Sequence, residues 1–393
     1  MSTLKVDNIR HNSATSDAIT TASDGTCTAK LTSIGGGQLS HRNLIINGAF
    51  QVAQRGTSST STSAYSTVDR FAITISNTDE TPTQAQADVA SGTTPYTLGF
   101  RKSFKITNGN QTSGAGTSDR IVIAQILEAQ DIANSGWNYT STSSYITLSF
   151  WVKSSVAQNF YGYIKTDDGT AQNYPFETGS LTADTWTKIT KTIPGNSNLQ
   201  FDNNNASGLR IHITPFLGTD YTASPTLNTW AAYASGTRTP DQTSTWYTTN
   251  DATFEITGVQ LEVGDTATSF EHLSFGEELL RCYRYYYRLK GDNNKTYMIG
   301  MSDNDNLNIY GFFHFPVPMR IAPSSIEQSW SASDYKVRRD TTQTCTAVPA
   351  FIDAMDFYCR VNFPRSSHGW GTGQMLWCQG GSSSSYLGFS AEL

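Results

Sequence analysis

Two kinds of residue in this chain have types and spacing that could do chemistry: paired carboxylates, and aromatics on strand-like runs. Glu255 and Glu262 share one run, and Asp167 and Asp168 are adjacent. Two carboxylates flanking a bond are the equipment of glycoside cleavage. Neither pair carries that reading far. Asp167-Asp168-Gly169 has the composition of an ordinary turn, and carboxylates placed like Glu255 and Glu262 are expected to point to solvent or cap a loop. His212 falls on a strand and His272 follows Glu271; a lone histidine at either place is expected to be a solvated or packed residue. There is no Gly-x-Ser-x-Gly, no phosphate-binding loop and no His-Glu-x-x-His. No catalytic residue is named, and the expectation is a protein that is not an enzyme.

The aromatics are the better candidates. Their faces stack on the apolar faces of sugar rings, while Asn, Gln, Asp and Arg bond the hydroxyls. If Ile146, Leu148, Phe150 and Val152 face a core, Trp151 faces away. On the next strand Phe160, Gly162 and Ile164 alternate with Tyr161 and Tyr163. With those two strands as neighbours, Trp151, Tyr161 and Tyr163 would make an outward aromatic strip. The same strip is open to a second reading, in which loops or another subunit cover it. A further set lies near the end of the sequence, where Ser367-His368-Gly369-Trp370-Gly371 and Trp377 read as an exposed tip loop. Trp137, Trp230, Tyr233 and Trp246 also fall in loop-rich stretches.

Strands must position these residues. Phe71, Ile73 and Ile75 alternate with polar neighbours, as do Phe104 and Ile106, and Leu209, Ile211 and Ile213. Many short strands divided by Gly, Asn, Ser and Thr loops predict a β-sandwich. Gln125 to Ala133 reads as a short helix or an irregular crossover. Phe254 and Ile256 run in one phase and Val259, Leu261 and Val263 in the other, so Gly258 between them predicts a bulge. After the turn at Val263-Gly264-Asp265, Phe275-Gly276-Glu277-Glu278 places acids before Arg281, Arg284 and Arg288, the order a helix dipole prefers. Tyr283 to Tyr287 then predict an extended continuation. Residues 251–289 are thus a joint. The expected organisation is all-β: a polar N-terminal segment, 1–40, open to two readings, a disordered leader or an anchor that orders only on a partner or within an oligomer; a β-sandwich, 43–273; and a second β-rich unit, 275–393. The jelly-roll topology of the sandwich and the distal place of the last unit are implied only by the resemblance given below. Leu4, Val6 and Ile9, then Lys30 to Ile34, predict short strands in the first segment. The last unit has few Leu or Val and is expected to complete its core between chains.

Composition narrows the function classes. Charged residues are 15% and aromatics 12% of 393 residues, with Ser, Thr, Asn and Gly abundant, which favours sheets with long polar loops. A net charge of -6 supplies no basic field for a nucleic-acid backbone. No apolar run reaches the roughly 18 residues of a membrane span. Five scattered cysteines without a Cys-x-x-Cys pair indicate neither zinc nor a disulfide framework. No cofactor is implied.

Several phrases together carry a resemblance. They are NLIINGAFQVAQRG at Asn43 to Gly56, Tyr65 to Phe71, ITLSFWVK at Ile146 to Lys153, FEITGVQLEVGDTATSFE followed by ELLRCYRYYYRL, and the closing LGFSAEL. The chain resembles phage tail-fibre and related virion appendage proteins with a carbohydrate-binding-module-like jelly roll, and STLKVDNI resembles the start of structural proteins of marine phages. The resemblance implies a homotrimer, assembled in the host cytoplasm and carried on the virion. Residues 1–40 would attach to other tail or adaptor proteins, and the chain would bind a host surface glycan or receptor at adsorption. The alternative is a purely structural decoration or connector with no host ligand. Related sugar-binding modules often hold calcium near the first and last strands. Here Glu255-Ile256-Thr257-Gly258 stands where they have paired aspartates, so no metal ligand is named.

Overall fold

The computed structural model describes residues 6–10, 12, 13, 15, 18–25, 27–29, 41–62, 64–304, 307–367 and 369–393. Leu4, the run Lys30 to Ile34, and His368 lie outside the described residues. Near the start, Asn8–Ile9, Ile19–Thr21 and Cys27–Ala29 form a three-stranded antiparallel sheet, and the Gly25 amide closes a turn onto the Ala22 carbonyl.

The body is a jelly-roll-type β-sandwich of two six-stranded sheets. In the first sheet the order is Ala231–Ala232, Gln172–Ser180, Asn159–Thr166, Ser207–Leu217, Arg120–Glu128, Phe71–Ser76. In the second it is Thr187–Pro194, Tyr145–Ser154, Thr253–Val263, Lys102–Thr107, Thr83–Asp88, Ser58–Ser59. Alternation does what the pattern requires: Ile146, Leu148, Phe150 and Val152 from one sheet meet Phe160, Ile164, Ile211 and Ile213 from the other in one continuous core. The Gly258 bulge is present. The register shifts between Thr257 and Gln260, and Gly258 has φ +62°. The stretch at Gln125 to Ala133 divides, with the strand running to Glu128 and a short helix following at Ala129–Ala133.

One expectation about neighbours is overturned. The strands Tyr145–Ser154 and Asn159–Thr166, joined by only four residues, lie in opposite sheets. The link crosses the sandwich instead of turning a hairpin, so Trp151 and the Tyr161/Tyr163 pair look out from opposite faces.

Past the sandwich, Ser274 caps the helix Phe275–Tyr283 in a capping box with Glu277. The tyrosine run continues as the strand Tyr286–Lys290. That strand pairs with Tyr386–Ser390, which pairs with Glu327–Gln328. Beside them is a seven-stranded sheet in the order Thr342–Thr344, Tyr335–Arg338, Met375–Gly380, Thr296–Ser302, Ile309–His314, Tyr358–Asn362, Ala350–Ala354. This unit, expected to complete its core between chains, already has a core within one chain. Met298, Ile309, Met319, Val337, Val361, Phe363, Leu376 and Phe389 pack together within one chain, with the thiols of Cys345, Cys359 and Cys378 among them.

A polar joint ties this unit to the sandwich. Arg70 is 1% exposed and stacks 3.4 Å over the Tyr285 ring. It ion-pairs with Glu392 and donates to the Ile126 carbonyl. Arg284 donates twice to Glu128 at 2.7 Å, and the Tyr285 hydroxyl joins them at 2.5 Å. Burial alone would raise the Glu128 pKa, but these donors outweigh it and hold the carboxyl below its ordinary value.

Candidate functional site

The most chemically loaded surface is the outer face of the first sheet. Tyr163 and His212 are cross-strand partners and stack with centroids 4.2 Å apart at 9°. One step along, Lys165 partners Arg210, and both bond Asp167. Burial would raise the Asp167 pKa, but hydrogen bonds from Lys165, Ser207 and Arg210 hold it below the ordinary range. The segment after Leu217 folds back over this face and supplies Tyr221, Tyr233 and Arg238. Lys165 Nζ lies 4.7 Å from the Tyr233 ring centre, and Arg238 lies 4.7 Å from that of Tyr221. From the Arg120–Glu128 strand, Arg120 stands 5.2 Å over Tyr221 and donates to Ser76 Oγ at 2.7 Å. These groups enclose an open hollow of about 170 Å³ with Tyr163, His212, Thr74 and Val122 as its floor.

The electrostatics are one-sided. No residue lining the hollow is acidic, and among the described residues neither Arg120 nor Arg238 pairs with a carboxylate. Burial, then Arg210, Arg238 and Lys165, push the His212 pKa down to about 3, so its ring is neutral. His212 Nδ1 and Arg238 Nε are buried without a hydrogen-bond partner. Tyr163 is 3% exposed, and burial lifts its hydroxyl to about 12. Tyr161 is half-buried, and its backbone carbonyl accepts from Thr214 Oγ1 at 2.7 Å. Of the expected residues, Tyr163 therefore forms floor more than stacking platform. Tyr233, flagged only as loop-borne, forms the wall.

The other expected residues sit elsewhere. On the opposite face Trp151 is half-buried against a small cluster of Ala49, Val89 and Phe100, on which Tyr96 and Phe270 also pack. Residues 264–273 return across that face, with Phe270 4.9 Å from Phe100 and His272 Nε2 2.9 Å from the Leu98 carbonyl. They leave a groove of about 180 Å³. His272 is a packing residue here. Trp370 packs against the core of the distal unit, and Trp377 is on a strand, not in a tip loop. Leu376 and Cys378 are buried, so alternation turns Trp377 out, 47% exposed. It belongs to a sheet face with Ile299 and Phe312, its neighbours across the register.

The candidate carboxylate pairs are occupied. Glu255 and Glu262 do not point to solvent; they are 5% and 1% exposed. Glu255 pairs with Lys153 at 3.0 Å and Glu262 accepts from Gln260 and Thr268. Among the described residues no group of three or more His, Cys, Asp or Glu is placed to hold a metal, and no helix is long and apolar enough to cross a membrane. A cleft of about 930 Å³ lies at the joint, with His41, Arg281 and Pro318 in its lining.

No protein family and no curated protein matches the chain. Solved structures to which the chain is similar include the enzymatically active domain of bacteriophage CBA120 tailspike protein 4, at 12% identity and TM-score 0.28 over 56% of this chain; the match spans 21% of that protein. The xylan-binding CBM22-1 domain from Paenibacillus barcinonensis matches at 10% identity and TM-score 0.28, over 60% of this chain and 100% of that one. The N-terminal cellulose-binding domain of Cellulomonas fimi β-1,4-glucanase C matches at 9% identity and TM-score 0.26, over 55% and 99%. Likenesses this distant carry no argument about what this chain binds.

Proposed function

We propose that this chain is a non-enzymatic virion appendage protein that binds a glycan on the host surface at adsorption. The observation that carries the reading is the hollow at Tyr163 and Tyr233. Aromatic rings and hydrogen-bonding head groups meet there on an open face of a rigid sandwich, the combination that stacks a sugar ring and orients its hydroxyls. The tail-fibre-like phrases support a place on the virion, with residues 1–40 as the attachment to other virion proteins and the chain acting as a homotrimer. The test is an array of bacterial surface polysaccharides probed with the full chain and with Tyr233→Ala. The parent should bind at least one glycan, and the variant should lose it while melting at the same temperature. Silence across the array, together with no binding to host envelopes, would instead leave a decoration or connector.

A further inference from the structure

We infer that the Tyr163 hollow selects an acidic saccharide, taking the anionic substituent of one sugar residue against Arg120 and Arg238 while Tyr233 flanks its ring. The inference rests on the glycan-binding reading and narrows it to a ligand class. Four cations, Arg120, Lys165, Arg210 and Arg238, line a hollow with no acidic lining residue, in a chain whose net charge is -6. Among the described residues Asp167 is the carboxylate that pairs with them, and it is taken by Lys165 and Arg210. Arg120 and Arg238 have no such partner among the described residues. Like charges held together without counter-charges repel, so the fold carries a cost here that an incoming anion relieves.

Two further observations point to a ligand. His212 Nδ1 and Arg238 Nε are buried with no hydrogen-bond partner, where buried polar groups are otherwise nearly always satisfied. The cations are also held in place. Arg238 lies over Tyr221 at 4.7 Å and Tyr233 at 6.0 Å, and Arg120 over Tyr221 at 5.2 Å. Guanidinium forks fixed in this way match the paired oxygens of a carboxylate or of a sulfate ester. The volume, about 170 Å³, is that of five or six waters at ~30 Å³ each. It suits one substituted ring and not a buried chain segment. The low His212 pKa agrees, since the neighbouring cations contribute to it.

Isothermal titration of the full chain tests the inference with four probes: polygalacturonate, the same polymer carboxyl-reduced, dextran sulfate, and dextran. At least one of the two anionic polymers should bind and the neutral two should not. Whichever anion binds separates a carboxylate from a sulfate ligand. The double variant Arg120→Gln/Arg238→Gln should weaken binding about tenfold or more without a fall in melting temperature. Binding by the parent should also weaken as NaCl rises, which keeps the test open should the double variant fail to fold. Equal binding of the neutral polymers, salt-independent binding, an unaffected double variant, or no binding of either anion overturns the inference. Neutral glycans bound by the parent and lost in Tyr233→Ala would remove the acid selectivity and leave the glycan reading standing. Silence across the whole polysaccharide array would remove both.

Discussion

His212 shows how a single residue reports its surroundings. Its ring is sandwiched into the face by Tyr163, and Arg210, Arg238 and Lys165 approach it with only Asp167 opposing them. The folded pKa of about 3 lies below the ordinary 6.5. The unfolded chain therefore takes up a proton below about pH 6.5 that the folded chain refuses until about pH 3. The stability contribution is whole above 6.5 and drains away as pH falls toward 3, by an amount on the order of a few kcal/mol. His212→Phe keeps a ring to stack and cannot titrate. In urea unfolding at pH 7 and pH 4, the parent should lose more stability over that interval than the variant. Other titrating groups act on both proteins alike, so equal losses would show that His212 does not feel the field assigned to it. This residue and its companions were half legible. Lys165, Arg210 and His212 stand in the outward phase of their strands beside Tyr163, and the same-sign pair Lys165 and Arg210 is readable once the strands are paired. Arg120 and Arg238 come from a distant strand and a loop, and no local spacing in the sequence joins them.

At the scale of elements, the strand Thr253–Val263 was the most legible. The change of hydrophobic phase at Gly258 announced a bulge, and φ +62° with Phe100 beside it is what the position demands. A Cβ there would meet Phe100 Cζ at 2.5 Å. Gly258→Ala should combine left-handed strain with overpacking and cost about 2–4 kcal/mol, seen as a lower urea midpoint at unchanged slope. A midpoint within error of the parent would mean the bulge relaxes. The capped helix at Phe275–Tyr283 and the strand after it were equally plain, because capping and dipole signals are local. Sheet membership was not. Sequential strands neighbour each other in roughly two-thirds of cases, and that prior placed Trp151 beside Tyr163. Whether a four-residue link turns a hairpin or crosses the sandwich is settled by the long-range pairs Tyr163–His212 and Trp151–Thr257, which period-two patterning cannot see. The tip-loop reading of Trp377 failed for a related reason. Flanking Gly and Ser residues suggested a loop, while Leu376 and Cys378 turned out to be the inward half of a strand.

At the scale of the molecule, the joint and one open face set the behaviour. Arg55 and Arg70 hold Glu392, the Tyr65 hydroxyl donates to the Leu393 carbonyl at 3.2 Å, and Arg320 donates to the carbonyls of Ala391 and Glu392 at 2.7 and 2.8 Å. Removing one partner of a buried ion pair costs about 3–5 kcal/mol. Glu392→Ala should therefore lower the melting temperature sharply and split a single calorimetric transition into two, as the sandwich and the distal unit part. A small shift with one transition retained would show that the joint is held mainly by Glu128, Arg284 and Tyr285. The open face is the outer side of the seven-stranded sheet. Two cross-strand rows run over it, Trp377–Ile299–Phe312 and Met375–Met301–Tyr310. Ile299, Met301, Phe312, Met375 and Trp377 are 54%, 48%, 50%, 65% and 47% exposed. Neighbours in such rows lie about 5 Å apart, so these side chains form one continuous apolar patch, and contiguous exposed apolar patches are often interaction surfaces. Arg338 and Arg360 stand at the ends of the first row and keep it from extending into a general adhesive face. For the proposed homotrimer this is the surface that would meet its copies, since the core beneath is already closed within one chain. Light scattering should then give three times the 43.0 kDa chain mass for the parent and one chain mass for Met301→Asp/Phe312→Asp, with the monomer still folded by circular dichroism. A parent that runs as a monomer would sink the trimer. A variant that stays trimeric yet no longer binds host cells would reassign the same face, making Trp377 and its neighbours the part that touches the host.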